Sequence, residues 1–295
     1  MHRPSRRPSS RTQPPEVVDG RWLLKAVAIV VVSALLCTYV TLCLLFYVGQ
    51  WQLVLHPVRT TTPAPEGLVR FSSEATGQPR LAGEWLPATS SNRYNQLTVL
   101  FLPGGDSTTA AFSATQTSLR EIGVNVFTFD YRGYGRSGDG HPTEKRMRQD
   151  SREAWAYLTT TRHIPANRII PYGVGVGASL AASLAGEHGE IPAIILESPY
   201  TDLRDVIGRD SRFRFLPFSL LFHEDFPLRD TLSKLQRPKL LLFREGAEEP
   251  EAFRVATAPK SILTLKTSSG ESFSDGVSRF LKEALPVSSV TPASK

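Results

Sequence analysis

Cysteine is almost absent from this 295-residue chain: there are two, Cys37 and Cys43, and both fall inside one apolar run. The rest of the sequence therefore holds no disulfide, no cysteine metal site and no cysteine nucleophile. Histidine is scarce and unevenly placed. The six are His2, His56, His141, His163, His188 and His223, so residues 224–295 contain none. Charge is missing over one long interval, with no Asp, Glu, Lys or Arg between Lys25 and Arg59. Residues 26–48 of that interval are dominated by Ala, Val, Ile and Leu. A bilayer core about 30 Å thick needs about 20 apolar residues of helix, so this stretch is long enough to span one. A buried core helix is rarely this long and apolar all round. A cleaved signal peptide has a shorter apolar region, followed by a small-x-small site. Here Gly49-Gln50-Trp51-Gln52 follows, and Trp51 suits a membrane interface. The expectation is an uncleaved signal anchor crossing the membrane once.

Flanking charge sets the expected orientation. Arg3, Arg6, Arg7, Arg11, Arg21 and Lys25 precede the run, whereas only Arg59 and Arg70 follow it up to residue 70. Positive charge stays on the cytoplasmic side, which leaves the bulk of the chain periplasmic or otherwise extracytoplasmic. The net charge of +6 invites a nucleic-acid reading. Residues 1–25 carry six basic and two acidic residues, leaving 28 basic against 26 acidic over the remainder. The basicity thus serves topology, or contact with lipid head groups, and no nucleic-acid partner is expected.

The domain reading follows from composition. Residues 1–25 form a basic, Pro/Ser/Arg-rich tail, 26–48 the span, 49–66 a connector, 67–285 one globular domain and 286–295 a polar tail. Apolar runs at 97–102, 124–129, 168–172, 193–196, 239–243 and 261–265 read as buried strands. Helical stretches at 109–122, 143–161, 178–186 and 272–285 alternate with them. Such alternation predicts an α/β fold, a mostly parallel sheet with helices on both faces. Ligands in such folds bind beyond the carboxyl ends of the strands.

One loop there stands out. After the run ending at Tyr172 comes Gly173-Val174-Gly175-Val176-Gly177-Ala178, then a helix. Glycine at alternate positions of a sharp strand-to-helix turn is the pattern of the nucleophile elbow G-x-S-x-G, with Gly175 where the serine stands. Glycine-rich turns also cradle phosphates, so a nucleotide site is a weaker rival; there is no Walker lysine, and Ala178 stands at the third glycine of G-x-G-x-x-G.

Residues 129–138, Phe-Asp-Tyr-Arg-Gly-Tyr-Gly-Arg-Ser-Gly, with His141-Pro142-Thr143-Glu144 behind them, resemble the strand-and-loop signature of α/β-hydrolases. The nearest group is the membrane-anchored branch similar to serine aminopeptidases and monoacylglycerol lipases. Residues 196–202, Leu-Glu-Ser-Pro-Tyr-Thr-Asp, resemble its next strand end, and 50–57 its entry into the domain. The resemblance implies an α/β-hydrolase fold with a small cap at about 199–237. It implies acyl transfer by Ser, Asp and His in that chain order. The corresponding positions here are Gly175, Ala247 (with Glu248 and Glu249 beside it) and Glu271. The missing histidines after His223 exclude that order independently of any alignment. Gly104, Gly105 and Val176 are the expected oxyanion pocket, supplied by backbone N–H groups. Ser107 and Asp106 are the fallback catalytic candidates, and Ser179 is expected to point away. Asp130 and Arg132 are expected to hold the loop.

The cap contains Phe213, Phe215, Phe218, Phe222 and Phe226. Packing over the sheet is the preferred reading, ahead of an apolar lid or a membrane-facing surface. The function expected is a membrane-tethered hydrolase-like protein without the ordinary triad, a pseudoenzyme that binds a partner protein or an apolar small molecule. The alternative is a non-standard hydrolase of esters, thioesters or lipids. No metal and no cofactor are expected.

Overall fold

The computed structural model describes residues 20–73, 79–106, 108–199, 203–208, 211–244, 251–265 and 272–285. The chain divides into two compact units, residues 1–47 and 48–295. In the first, helix α1 (Gly20–Gly49) has no buried residue and is long and apolar enough to cross a membrane. It extends past the predicted 26–48 because Arg21, Trp22 and Lys25 continue the helix beyond the apolar run. Helical hydrogen bonding does not stop where apolarity does.

The second unit opens with a short helix α2 (Trp51–Val54), then strands β1 (Leu68–Ser73), β2 (Pro79–Leu86) and β3 (Thr98–Leu102). Helix α3 (Ser113–Ile122), β4 (Asn125–Asp130), α4 (Glu144–Ala156) and β5 (Ile169–Val174) follow. Then come α5 (Gly177–Glu187), β6 (Ile194–Glu197), and the cap helices α6 (Leu203–Gly208) and α7 (Phe218–Leu221). The unit ends with α8 (Arg229–Lys234), β7 (Lys239–Arg244), α9 (Glu251–Val255), β8 (Lys260–Leu265) and α10 (Phe273–Ala284).

The eight strands form one sheet in the order β1-β2-β4-β3-β5-β6-β7-β8. β1 pairs with β2, and β2 with β4, antiparallel; every other pairing is parallel. All five residues of β3 are buried, because helices cover both faces. The two-residue period still operates inside that buried strand. Leu100 and Leu102 join the core beneath α4, α5 and α8, while Val99 and Phe101 join the core with α3 and α10.

Local chemistry sets the element ends. Thr143 accepts a hydrogen bond from the Arg146 N–H (3.3 Å) to start α4, and Ser272 accepts one from Asp275 (3.1 Å) to start α10. Gly123, at φ +102°, ends α3 in the left-handed conformation. The predicted helix 143–161 is regular only to Ala156, then widens into a π-helical turn over Tyr157–Thr161. There Thr159 and Thr160 hydroxyls bond back to the Ala156 carbonyl, competing with the helix ladder.

Candidate functional site

The elbow lies between β5 and α5, at the carboxyl end of the sheet. Gly175 sits at its apex with φ +55°, the left-handed region. Its N–H donates to the Glu197 carbonyl at the end of β6 (3.0 Å), which pins the turn to the neighbouring strand. The flanking glycines are required by close approach. A Cβ on Gly173 would stand 2.3 Å from the Gly177 carbonyl oxygen, and a Cβ on Gly177 2.2 Å from that of Leu102. The strand-to-helix turn therefore keeps the tight geometry of a nucleophile elbow while its apex carries no side chain.

A cavity of about 270 Å³ opens over the apex. Its lining brings together Gly104, Gly105 and Asp106 after β3, Gly175 and Val176 at the elbow, and Glu197 and Ser198 after β6. Val54 and Phe112 form apolar walls. Gly105 and Val176 are adjacent: a Cβ on Gly105 would meet Val176 Cγ2 at 3.2 Å and Leu55 Cδ2 at 2.4 Å. Asp106, at the cavity rim, is exposed. Ser107, Ala247, Glu248, Glu249 and Glu271 lie outside the described residues.

The loop after β4 braces this floor. Tyr131 and Tyr134 hydroxyls donate to the carbonyls of Pro103 (3.3 Å) and Gly105 (2.6 Å). Burial, and for Tyr134 the nearby Asp106 carboxylate, hold both phenols protonated well above their ordinary range. Asp130 accepts from the Arg136 N–H (3.1 Å) and from Thr109, closing the loop on itself. Arg132 pairs with fully buried Asp150, Nε to Oδ1 at 2.6 Å. Burial pushes that carboxyl up to about 6 although Arg132 pulls it down.

Two contributors were not anticipated. Glu197, 7% exposed, faces the cavity and accepts from the buried Tyr172 hydroxyl (2.6 Å). Burial, reinforced by that carboxylate, raises the Tyr172 phenol well above its usual value. An acidic residue ending a continuous apolar strand was the available signal. Ser198 beside it has φ +43°, an uncommon conformation for a residue with a side chain. The second contributor is the segment after α1. Leu55 is buried against Gly105, and the His56 N–H donates to the Gly105 carbonyl (2.7 Å).

No histidine lines the cavity among the described residues. His141 is exposed and lies against Trp51, tilted, with ring centres 5.2 Å apart, and His188 stacks on Trp155 at 4.4 Å. His223 is held by Gln50, whose side-chain oxygen accepts from the His223 N–H (2.7 Å). Ser179 donates to the Pro227 carbonyl (2.8 Å) and does not line the cavity. Among the described residues no group of three His, Cys, Asp or Glu is placed to hold a metal ion. A larger hollow, about 680 Å³, lies at the far end of α5 beside α8, away from the strand ends that carry the elbow.

A family model for serine aminopeptidase S33 matches residues 94–240. Rv2307c of Mycobacterium tuberculosis, described as uncharacterized, is 30% identical over 163 residues, covering 55% of this chain and 56% of its own. Alpha/beta hydrolase domain-containing protein 17B of Homo sapiens is 30% identical over 180 residues, 61% of this chain and 58% of its own. The chain thus spans little more than half the length of these relatives. Among solved structures, the Pyrococcus furiosus esterase Pf2001 superposes with a TM-score of 0.58 at 20% identity, over 78% of this chain and 97% of that one. An alpha-beta hydrolase from Vibrio vulnificus gives 0.51 at 24%, over 69% and 74%. With the elbow, the sheet order and these likenesses in agreement, the chain belongs to the α/β-hydrolase superfamily.

Proposed function

We propose that this protein is a membrane-tethered binding protein on an α/β-hydrolase scaffold, holding a small apolar ligand or an apolar segment of a partner over Gly175. On this reading it does not carry out ordinary serine-hydrolase turnover. The observation that carries it is the glycine at the elbow apex, φ +55°, beneath an open cavity. A serine hydrolase needs a hydroxyl there and an imidazole to take its proton. The described lining supplies neither at that position. On this reading the backbone N–H groups of Gly105 and Val176, two residues that line the same cavity, would bind a carbonyl oxygen. Hydrolases stripped of their triad retain about 10³–10⁴-fold over water from such pockets and binding, so a vestigial rate is compatible with this reading.

The lining also bears on the ligand. Among the described residues it contains two carboxylates, Asp106 and Glu197, and no Lys or Arg. A phosphate would meet negative charge, which favours a neutral ligand over a nucleotide. Helix α1 is read as the tether, with its basic N-terminal flank in the cytoplasm and the domain on the other side.

One observation favours the second reading, a non-standard hydrolase of esters, thioesters or lipids. Ser198 lines the same cavity beside Glu197, and backbone strain of this kind gathers at functional sites. Hydrolysis of short acyl esters by the purified full-length chain separates the two. Background rates for the natural sequence, with labelling by a serine probe gained in Gly175→Ser combined with Glu271→His, would support the binding reading. Turnover lost on changing Asp106→Asn, Ser107→Ala or Ser198→Ala would overturn it.

A further inference from the structure

Among the described residues, the two most exposed large apolar side chains are both in the cap: Leu220, 81% exposed, and Phe215, 77% exposed. Even in helix α1 the highest value is 73%, at Leu24. The expected packing role of the cap phenylalanines holds for Phe222 and Phe226, each 2% exposed, but not for Phe215. The turn that presents Phe215 and Leu220 is braced. Arg204 donates to the carbonyls of Ser219 (3.0 Å) and Phe222 (2.9 Å) and pairs with both Asp225 oxygens. Phe218 stacks on Phe222 at 4.8 Å and on Phe213 at 6.1 Å. Two large apolar side chains held outward on a rigid turn mark an interaction surface more than loose packing.

Gln50 indicates what covers that surface. It is the first residue after helix α1 and is 1% exposed. Its side-chain amide donates to the Leu221 carbonyl (3.0 Å), lies 2.7 Å from a His223 ring nitrogen, and accepts from the His223 N–H (2.7 Å). The residue that follows a membrane span lies at head-group level. The neighbour of Leu220 is thus hydrogen-bonded to the point where the chain leaves the span. Charge is consistent: residues 211–221 contain Arg212 and Arg214 and no acid, and the Arg214 guanidinium lies 5.0 Å from the Phe215 ring centre. Aromatic and basic residues together suit an anionic lipid interface.

We propose that the cap turn from Phe213 to Leu221 is a second membrane contact, inserting Phe215 and Leu220 among the lipid head groups of the leaflet from which the domain emerges. This rests on the reading of α1 as a membrane span. The domain would then contact the membrane at a second point besides the helix.

The test uses the full chain with Cys37→Ser and Cys43→Ser, a background free of thiols. Phe215→Cys carries an environment-sensitive nitrobenzoxadiazole label in vesicles of phosphatidylcholine with phosphatidylglycerol. The same label at Ile262→Cys on β8, 44% exposed, is the reference for label accessibility and for the fraction of chains facing inward. The expected result is blue-shifted emission at 215 and several-fold slower reduction by dithionite than at 262. Equal rates at the two positions, with the protein still in the vesicles after carbonate extraction, would overturn the cap contact and leave the tether standing. Extraction by carbonate would overturn the tether, and this proposal with it. Protection at 215 that persists without vesicles and disappears on dilution would assign the surface to a second copy of the chain instead.

Discussion

Adding one small side chain at each elbow glycine separates a crowded turn from an open apex. In Gly177→Ala the new Cβ would lie 2.2 Å from the Leu102 carbonyl oxygen and 2.7 Å from that of Pro103. Both are backbone atoms at the end of β3, a strand buried on both faces, so neither can rotate aside. Forcing a methyl group into such a site costs about 1–3 kcal/mol, sometimes more. For a domain of this size each kcal/mol lowers Tm by about 2–4 °C, giving a fall of roughly 2–12 °C. Gly173→Ala meets the Gly177 carbonyl oxygen at 2.3 Å and belongs to the same class. Gly175→Ser differs in setting, because Gly175 lines a cavity of about 270 Å³. It incurs the left-handed backbone penalty of about 1–2 kcal/mol. Restricting the unfolded chain returns about 0.4–1 kcal/mol. The net loss is therefore at most about 1.6 kcal/mol; the same return applies at both flanking glycines, so the larger fall in Tm expected there rests on their collisions with backbone oxygens. Melting of the full chain in one detergent, at one scan rate, ranks the three variants. A fall for Gly175→Ser as large as that for Gly177→Ala would show that the apex has no room, and the cavity argument would fail.

Arg132→Ala leaves the Asp150 carboxylate buried without its guanidinium, a loss of about 3–5 kcal/mol in denaturant unfolding, and Arg132→Lys recovers only part of it. A loss below about 1 kcal/mol, the range of an exposed pair, would mean that the loop after β4 does not depend on this contact. Gln50→Ala removes the amide that ties the domain's entry to the cap, so backbone hydrogen exchange over residues 218–226 should accelerate while that of β3 and β5 stays unchanged; uniform acceleration, or none, counts against a local clasp. Lys239 is fully buried, with Nζ donating to the Thr257 carbonyl (2.7 Å), and burial, with Lys260 nearby, lowers its ammonium from 10.5 to about 8. Between about pH 8 and 10.5 the unfolded chain binds this proton and the native chain does not. Stability therefore gains from this group as pH rises through that window and loses it as pH falls toward 8. Lys239→Met should flatten that rise in melting curves, and an unchanged slope would assign it to another group.

The parallel strands were legible because burial on both faces writes them as continuous apolar runs: 97–102 became β3 and 239–243 became β7. Strands β1 and β2 were not singled out. They pair antiparallel at the sheet edge, where Phe71 and Leu81 are buried among Arg70, Arg80 and Glu84, and half-covered strands leave only a weak alternation. The elbow was readable to the residue because only glycine tolerates the contacts at positions 173 and 177. The site's other walls were not. Leu55 and His56 reach Gly105 across about fifty residues of sequence, and Glu197 comes to Gly175 through strand pairing, neither of which local pattern records.

On the binding reading, no serine in this cavity becomes acylated or phosphonylated. Intact-mass measurement of the full chain after exposure to a fluorophosphonate tests it most directly. The expected result is an unmodified mass for the natural sequence under conditions that fully label an active serine hydrolase in the same tube. A stoichiometric adduct mapped to Ser198, which lines the cavity, or to Ser107 would contradict it and make the protein an enzyme with a displaced nucleophile.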